Sequence, residues 1–168
     1  MIDVAVVGIA GSGTRWLTRL IRAHPDVSPK RSHHHSFPTG TGKRCKFPNV
    51  PMSGRTVFVI CRDESIMKVV WERHGMTKEE SPLYNYDLVK KTLLGQVEAY
   101  QGPKVFVSYE TLLSFGWIYF ETILLSGGLD PARFDRSKFK PEDGNGKYVF
   151  PNDPMGVPIE PANAYESL

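Results

Sequence analysis

Cysteine is scarce in this sequence. The two present, Cys45 and Cys61, are too few for a disulfide framework and form no Cys-x-x-Cys pair. Neither a disulfide-stapled scaffold nor a cysteine zinc site is therefore expected, and a cytoplasmic location is the default. Long apolar runs are missing too. None approaches the length of a membrane span, and the run ahead of Gly8 is too short, and lacks the basic flank, for a secretory signal. Nor is charge of one sign in large excess: 21 Lys and Arg against 18 Asp and Glu leave +3. That balance argues against bulk-charge binding of nucleic acid and leaves room for a local basic site that takes an anionic ligand. No internal repeat is visible. A chain of 168 residues is one ordinary domain, able to bury about two thirds of the surface exposed when unfolded.

What is present is an alternation of strand and helix signals. Asp3 to Val7 reads as a strand, Ile9 to Thr14 as a Gly-rich turn, and Arg15 to Ala23 as a helix ended by His24-Pro25. Thr56 to Cys61 has a buried-strand composition and runs into Arg62-Asp63-Glu64-Ser65, with helical spacing through His74. Asp87 to Tyr100 reads as a helix stopped by Gly102-Pro103, Lys104 to Ser108 as a strand, and Tyr109 to Leu125 as a helix capped by Gly127-Gly128. This order predicts an α/β, three-layer P-loop fold: a small central parallel sheet flanked by helices. Residues 1–139 are expected to form it, with 28–54 a long basic and His-rich surface loop, rich in breakers, of the kind used for binding. Residues 140–168 read as an extended tail packing on the body.

The run Gly8-Ile9-Ala10-Gly11-Ser12-Gly13-Thr14-Arg15 lets backbone N–H groups converge where the next helix presents its positive dipole end. An anion fits there. In the nucleoside-triphosphate loop the last Gly is followed by Lys and then Ser or Thr; here Thr14 and Arg15 follow Gly13. Without that lysine, ATP chemistry loses its main side-chain charge on the terminal phosphates, and Arg15 is a planar substitute one step on. A turn that merely packs a helix on a strand is the competing reading.

Ser12-Gly13-Thr14, followed by Trp16-Leu17 and then His24-Pro25, resembles the phosphosulfate loop of the sulfotransferase family. Val57 to Ile60 with Cys61-Arg62-Asp63 is similar to the strand and Arg-Asp that hold the nucleotide 3′-phosphate in that family. Val105 to Val107 with Ser108-Tyr109-Glu110-Thr111-Leu112 resembles its Tyr-Glu-x-Leu strand. Leu124 to Leu129 resembles its Leu-Gly-Leu, and Glu142 to Tyr148 is similar to a tail segment ending in Lys-Tyr. The segments occur in the family's order. Two positions depart from it: Gly11 stands where Lys or Arg commonly precedes Ser-Gly-Thr, and Val70 stands where a serine usually follows the Arg by eight residues.

The resemblance implies a sulfotransferase that moves a sulfuryl group from 3′-phosphoadenosine-5′-phosphosulfate (PAPS) to a hydroxyl or amine, leaving adenosine 3′,5′-bisphosphate. It implies that Gly11, Ser12, Gly13, Thr14, Arg15 and Trp16 bind the donor together with Arg62 and Tyr109, and that Arg15 and the loop amides stabilise charge on the leaving phosphate. In that family a base histidine comes from the region occupied here by Lys30-Arg31-Ser32-His33-His34-His35. His34 or His35 is the implied base, since an imidazole titrating near neutrality suits proton abstraction. A solvated polar loop is the competing reading. No metal site is expected, because adjacent histidines cannot all point at one ion and no matching ligands are evident. Lys43, Arg44 and Lys46 are further candidates for an anionic ligand, or a solvated face.

Among the rest, Asp63 reads as a cap for the following helix, Glu110 as a loop anchor, with structural packing the competing reading for it and for Tyr109, and Trp16, Trp71 and Trp117 as core residues, at least two of them buried. The partners expected are the nucleotide donor and its acceptor, with no membrane and no strong nucleic-acid signal. Two rivals remain. One is a kinase-like enzyme that uses the loop for ATP and needs magnesium and an acidic ligand such as Asp63. The other is an inactive binding protein that kept the anion cradle, which Gly11 and Val70 favour.

Overall fold

The protein is described by a computed structural model over residues 1–38, 49–73 and 85–141. Lys43, Arg44, Cys45, Lys46, His74 and the tail from Glu142 onward, with its Lys-Tyr segment, lie outside the described residues. Four strands, β1 (Val4–Ile9), β2 (His33–Phe37), β3 (Thr56–Cys61) and β4 (Lys104–Ser108), form one parallel sheet in the order β2-β1-β3-β4. Every residue of β1 is buried. That explains why it reads as a continuous apolar run: a parallel strand covered on both faces needs no polar alternation.

Helices α1 (Thr14–Arg22) and α4 (Tyr109–Ser126) cover one face; α2 (Glu64–Arg73) and α3 (Tyr86–Ala99) cover the other. The first face packs Val4, Val6, Phe58, Ile60, Val105 and Val107 against Leu17, Ile21, Leu112, Phe120 and Ile123. The second packs Ala5, Val7, Val57 and Val59 against Met67, Val70, Trp71, Val89 and Leu93. Deleting a buried leucine such as Leu17 from such a core costs about 2–5 kcal/mol. The expected three-layer α/β fold is present.

Right-handed crossovers explain this layering. From β1 the chain turns through α1 to β2 on one side, and from β3 through α2 and α3 to β4 on the other, so the helices fall on opposite faces. The carboxyl ends of β1 and β3 therefore border the crevice where the connections diverge, the usual ligand position in open parallel sheets.

The expectation of a loop over 28–54 needs one correction. Residues 33–37 form β2, paired in register with β1 from Ala5↔His33 to Ile9↔Phe37. His-His-His-Ser-Phe has no apolar alternation because β2 is an edge strand that buries only Phe37, and its stability comes from the backbone ladder. The other strands and helices fall within one or two residues of their expected bounds. Trp16 and Trp71 are buried and Trp117 is partly so, as the core reading required.

Two junctions fix α1 and α4. The Asp26 N–H donates to His24 Nδ1 (3.1 Å), which leaves Nε2 as the protonated nitrogen donating to the Asp130 carbonyl (2.8 Å). This buried imidazole ties the end of α1 to the segment after α4. The described start of the expected tail also touches the body, where Trp16 Nε1 donates to the Lys140 carbonyl (3.1 Å).

Candidate functional site

The loop between β1 and α1 is shaped by Gly11 (φ 96°) and Gly13 (φ 94°), both in the left-handed region that side chains disfavour. Gly13 is the N-cap of α1 and supplies no side-chain cap. The first N–H groups of a helix have no intrahelical acceptor, so those of α1 face outward with the positive end of the dipole. Within the loop, Ser12 N–H donates to Ile9 O (2.9 Å) and Ala10 N–H to Phe37 O (2.8 Å), which ties the loop to β2.

Ser12 is 1% exposed, and its Oγ has no hydrogen-bond partner among the described residues. A buried hydroxyl left unpaired costs about 1–3 kcal/mol. An orphaned donor in a glycine cradle at a helix N-terminus fits a bound phosphate or sulfate group, so these residues suit the anionic end of the implied donor.

Four elements contribute side chains around the loop. From the end of β3, Arg62 donates through Nη1 to the Gly11 carbonyl (2.7 Å), and its guanidinium lies 4.5 Å from the ring centroid of Tyr109. Tyr109 opens α4, is buried, and meets Trp16 of α1 edge-on at 5.3 Å. A Cβ on Gly13 would come within 2.9 Å of Tyr109 Cδ2, so the ring packs directly on the loop. Thr14 Oγ1 and Ser36 Oγ share a hydrogen bond (2.9 Å) that joins α1 to β2.

Asp63 Oδ1 accepts from the Ser65 hydroxyl and from the N–H groups of Ile66 (3.3 Å) and Ser65 (2.8 Å), which caps α2 and, through the hydroxyl first, holds the carboxyl below its usual range. Glu110 Oε1 accepts the Asp63 N–H (3.0 Å), anchoring the turn that carries Arg62. Beside this turn a cleft of about 190 Å³ is lined by Ser12, Arg62, Met67, Tyr86 and Lys90 among others. A larger, shallow hollow of about 750 Å³ lies around Asp3, Arg55 and Tyr100, at the opposite end of the strands. It is remote from the loop chemistry.

The structure thus brings Gly11, Ser12, Gly13, Thr14, Trp16, Arg62 and Tyr109 to one end of the sheet. It separates the two histidines. Ser36 faces α1 and Phe37 packs in the opposite layer, so strand alternation puts His34 on the α1 side and His35 on the other. The His34 pKa is lowered by burial first and then by Arg15, His33 and Arg22, which keeps the ring neutral at pH 7. Burial also lowers His35, with help from His33, His34 and Arg55, and its Nε2 is buried without a partner among the described residues. Arg15 is exposed in the first turn of α1. No cluster of metal-ligating side chains occurs among the described residues, and no helix among them is long and apolar enough to cross a membrane.

No protein-family model matches this sequence. No curated protein sequence matches it either. Among solved structures it is similar to that of mouse sulfotransferase SULT7A1 complexed with PAP, at 16% identity and a TM-score of 0.46. The similarity covers 82% of this chain and 61% of that one, so the chain spans less than two thirds of its neighbour's length.

Two site residues gave no usable signal in the sequence. Ser36 was hidden in a strand read as loop. Trp71, whose Nε1 donates to the Ala10 carbonyl (3.0 Å), looked like one more core tryptophan, since a contact across 61 positions leaves no local pattern.

Proposed function

We propose that this protein is a sulfotransferase-like enzyme that binds PAPS and transfers its sulfuryl group to a hydroxyl or amine. One observation carries the reading: Arg62 bridges the loop and Tyr109 by bonding the Gly11 carbonyl while lying over the ring. These are three of the segments on which the sequence resembles the family, and they meet at one point. The donor would supply the activated sulfuryl group. The loop amides of Gly11, Gly13 and Thr14, with the Ser12 hydroxyl and Arg15, would hold its 5′-phosphate side and offset charge as the bond to sulfur breaks. Arg62 would bring its charge to the 3′-phosphate, and Tyr109 with Trp16 forms an aromatic wall. His34, neutral and on the α1 side with Thr14 and Ser36, is the better candidate than His35 to accept the acceptor's proton.

A second reading has its own support. A Cβ on Gly11 would stand 2.7 Å from Val70 Cγ1, so an apolar contact occupies the place where the family carries a cation and a serine. That favours a protein that binds the nucleotide without transferring from it.

Calorimetric titration with adenosine 3′,5′-bisphosphate, ATP with and without magnesium, and inorganic phosphate tests the donor site. The bisphosphate should bind tightest and without magnesium. Binding no tighter than phosphate would overturn the assignment, and magnesium-dependent ATP binding would move it to a kinase. Acceptor-dependent release of adenosine 3′,5′-bisphosphate from PAPS, with the sulfated phenol or amine as co-product, then separates an enzyme from a binding protein.

A further inference from the structure

The two carbonyls that could spoil the loop as an anion site, those of Ala10 and Gly11, are both held by side-chain donors: Trp71 Nε1 at 3.0 Å and Arg62 Nη1 at 2.7 Å. We propose that Trp71 is a positioning residue for the anion loop, fixing the Ala10–Gly11 peptide so that its carbonyl faces α2 and its N–H faces the ligand. This rests on the reading of the loop as the phosphate-side anion site.

The argument is geometric. In a trans peptide the C=O and the next N–H point in opposite directions. A carbonyl of Ala10 pinned to the α2 side therefore turns the Gly11 N–H away from α2, toward the exposed side of the loop. The next peptide is fixed at both ends, with Gly11 O on Arg62 and Ser12 N–H on Ile9 O. A glycine at φ 96° has no side chain to choose between peptide orientations, so the choice falls to the partners of its neighbours. A flipped Ala10–Gly11 peptide would present a carbonyl dipole to the anion and remove a donor.

Trp71 is suited to this task because it is held by packing. It is 1% exposed, and its ring meets Tyr86 edge-on at 5.4 Å. One residue before it, Val70 lies against Gly11 from the same helix. The start of α2 is in turn secured by the Asp63 cap and by Glu110. The loop thus has a backing in α2, and the indole N–H is the hydrogen bond by which that backing holds the Ala10 carbonyl.

The test compares wild type with Trp71→Phe and with a benzothienylalanine isostere at position 71, which keeps the bicyclic shape and replaces N–H by sulfur. Val97→Ala, a core change in α3 away from the loop, controls for lost stability. Two readouts are taken well below the melting temperature: affinity for phosphate and adenosine 3′,5′-bisphosphate, and the ¹⁵N shift of the Gly11 amide without ligand. Both Trp71 variants should bind both ligands about five- to tenfold more weakly, as expected for one lost hydrogen bond, and should move the Gly11 resonance. Val97→Ala should do neither. Wild-type affinity retained in the isostere, or an unmoved Gly11 amide, overturns the proposal. If wild type binds neither ligand, the anion-site reading fails, while the Gly11 shift still judges the peptide orientation.

Discussion

Gly11 and Val70 are in contact: a Cβ built on Gly11 would stand 2.7 Å from Val70 Cγ1. They are also the two positions at which the sequence departs from the sulfotransferase pattern, so the departures form one packing solution. A side chain at position 11 meets two obstacles, the φ of 96° and the valine. Gly11→Ala should therefore cost about 2–3 kcal/mol of unfolding free energy. In a Val70→Ala background the steric share disappears and the backbone share remains, so denaturant unfolding should give a coupling of about 1 kcal/mol between the two sites. Strict additivity would show that the contact carries no strain.

Ser12→Ala separates stability from binding by sign. The hydroxyl is buried without a partner among the described residues, so its removal should leave the unliganded protein as stable as wild type, or up to about 1 kcal/mol more stable. Affinity for adenosine 3′,5′-bisphosphate should fall about tenfold. Thermal denaturation with and without ligand measures both. A destabilised free protein with undiminished affinity would assign the hydroxyl to structure.

How legible this architecture is in the sequence follows the physics of each element. β1 and β3 announce themselves because strands buried between helical layers must be runs of Val, Ile and Phe, and β4, the opposite edge, is legible because Val105 and Val107 alternate with the exposed Lys104 and Phe106. β2 does not, because an edge strand satisfies its backbone on one side and can carry His33, His34 and His35 at little cost. The loop is visible through Gly11 and Gly13, whose positive φ favours glycine, and through Gly8, where a Cβ would stand 2.8 Å from the Ile60 carbonyl. Its supports are not. Trp71 reaches Ala10 from another helix and Ser36 reaches Thr14 from another strand, and nothing local distinguishes either from ordinary core or loop. The sides taken by the two candidate histidines were hidden for the same reason, because alternation in an unrecognised strand sends His34 and His35 to opposite faces.

Those histidines set a pH dependence. Both pKa values are depressed below the ordinary histidine value of about 6.5, chiefly by burial. The unfolded chain then takes up protons before the folded one, and stability rises with pH in that window. Their contribution is whole above about pH 6.5 and is lost as the pH falls through the folded values. The urea midpoint should therefore fall between pH 7.5 and 5, and a His34→Gln/His35→Gln variant should flatten the slope. An unchanged slope would locate the acid sensitivity elsewhere. If His34 is the base, His34→Gln should also abolish turnover and leave bisphosphate affinity intact, which His35→Gln should not do.

Arg62 has one task in this structure and a second proposed for it, and ligand choice separates them. Its bond to the Gly11 carbonyl supports the loop, which any phosphate would feel. Its guanidinium charge is the proposed contact to the 3′-phosphate, which only the bisphosphate would feel. Arg62→Ala should thus weaken inorganic phosphate about fivefold through the loop alone, and adenosine 3′,5′-bisphosphate about a hundredfold, since a charge-assisted bond is worth more than a neutral one. Arg62→Lys keeps the charge but loses the planar fork and the stack on Tyr109, so it should recover part of the bisphosphate affinity and little of the loop effect. Calorimetry of the three proteins against both ligands measures the split. Equal fractional losses for the two ligands would mean that Arg62 acts only through the loop, and the 3′-phosphate contact would then have to be sought on another residue.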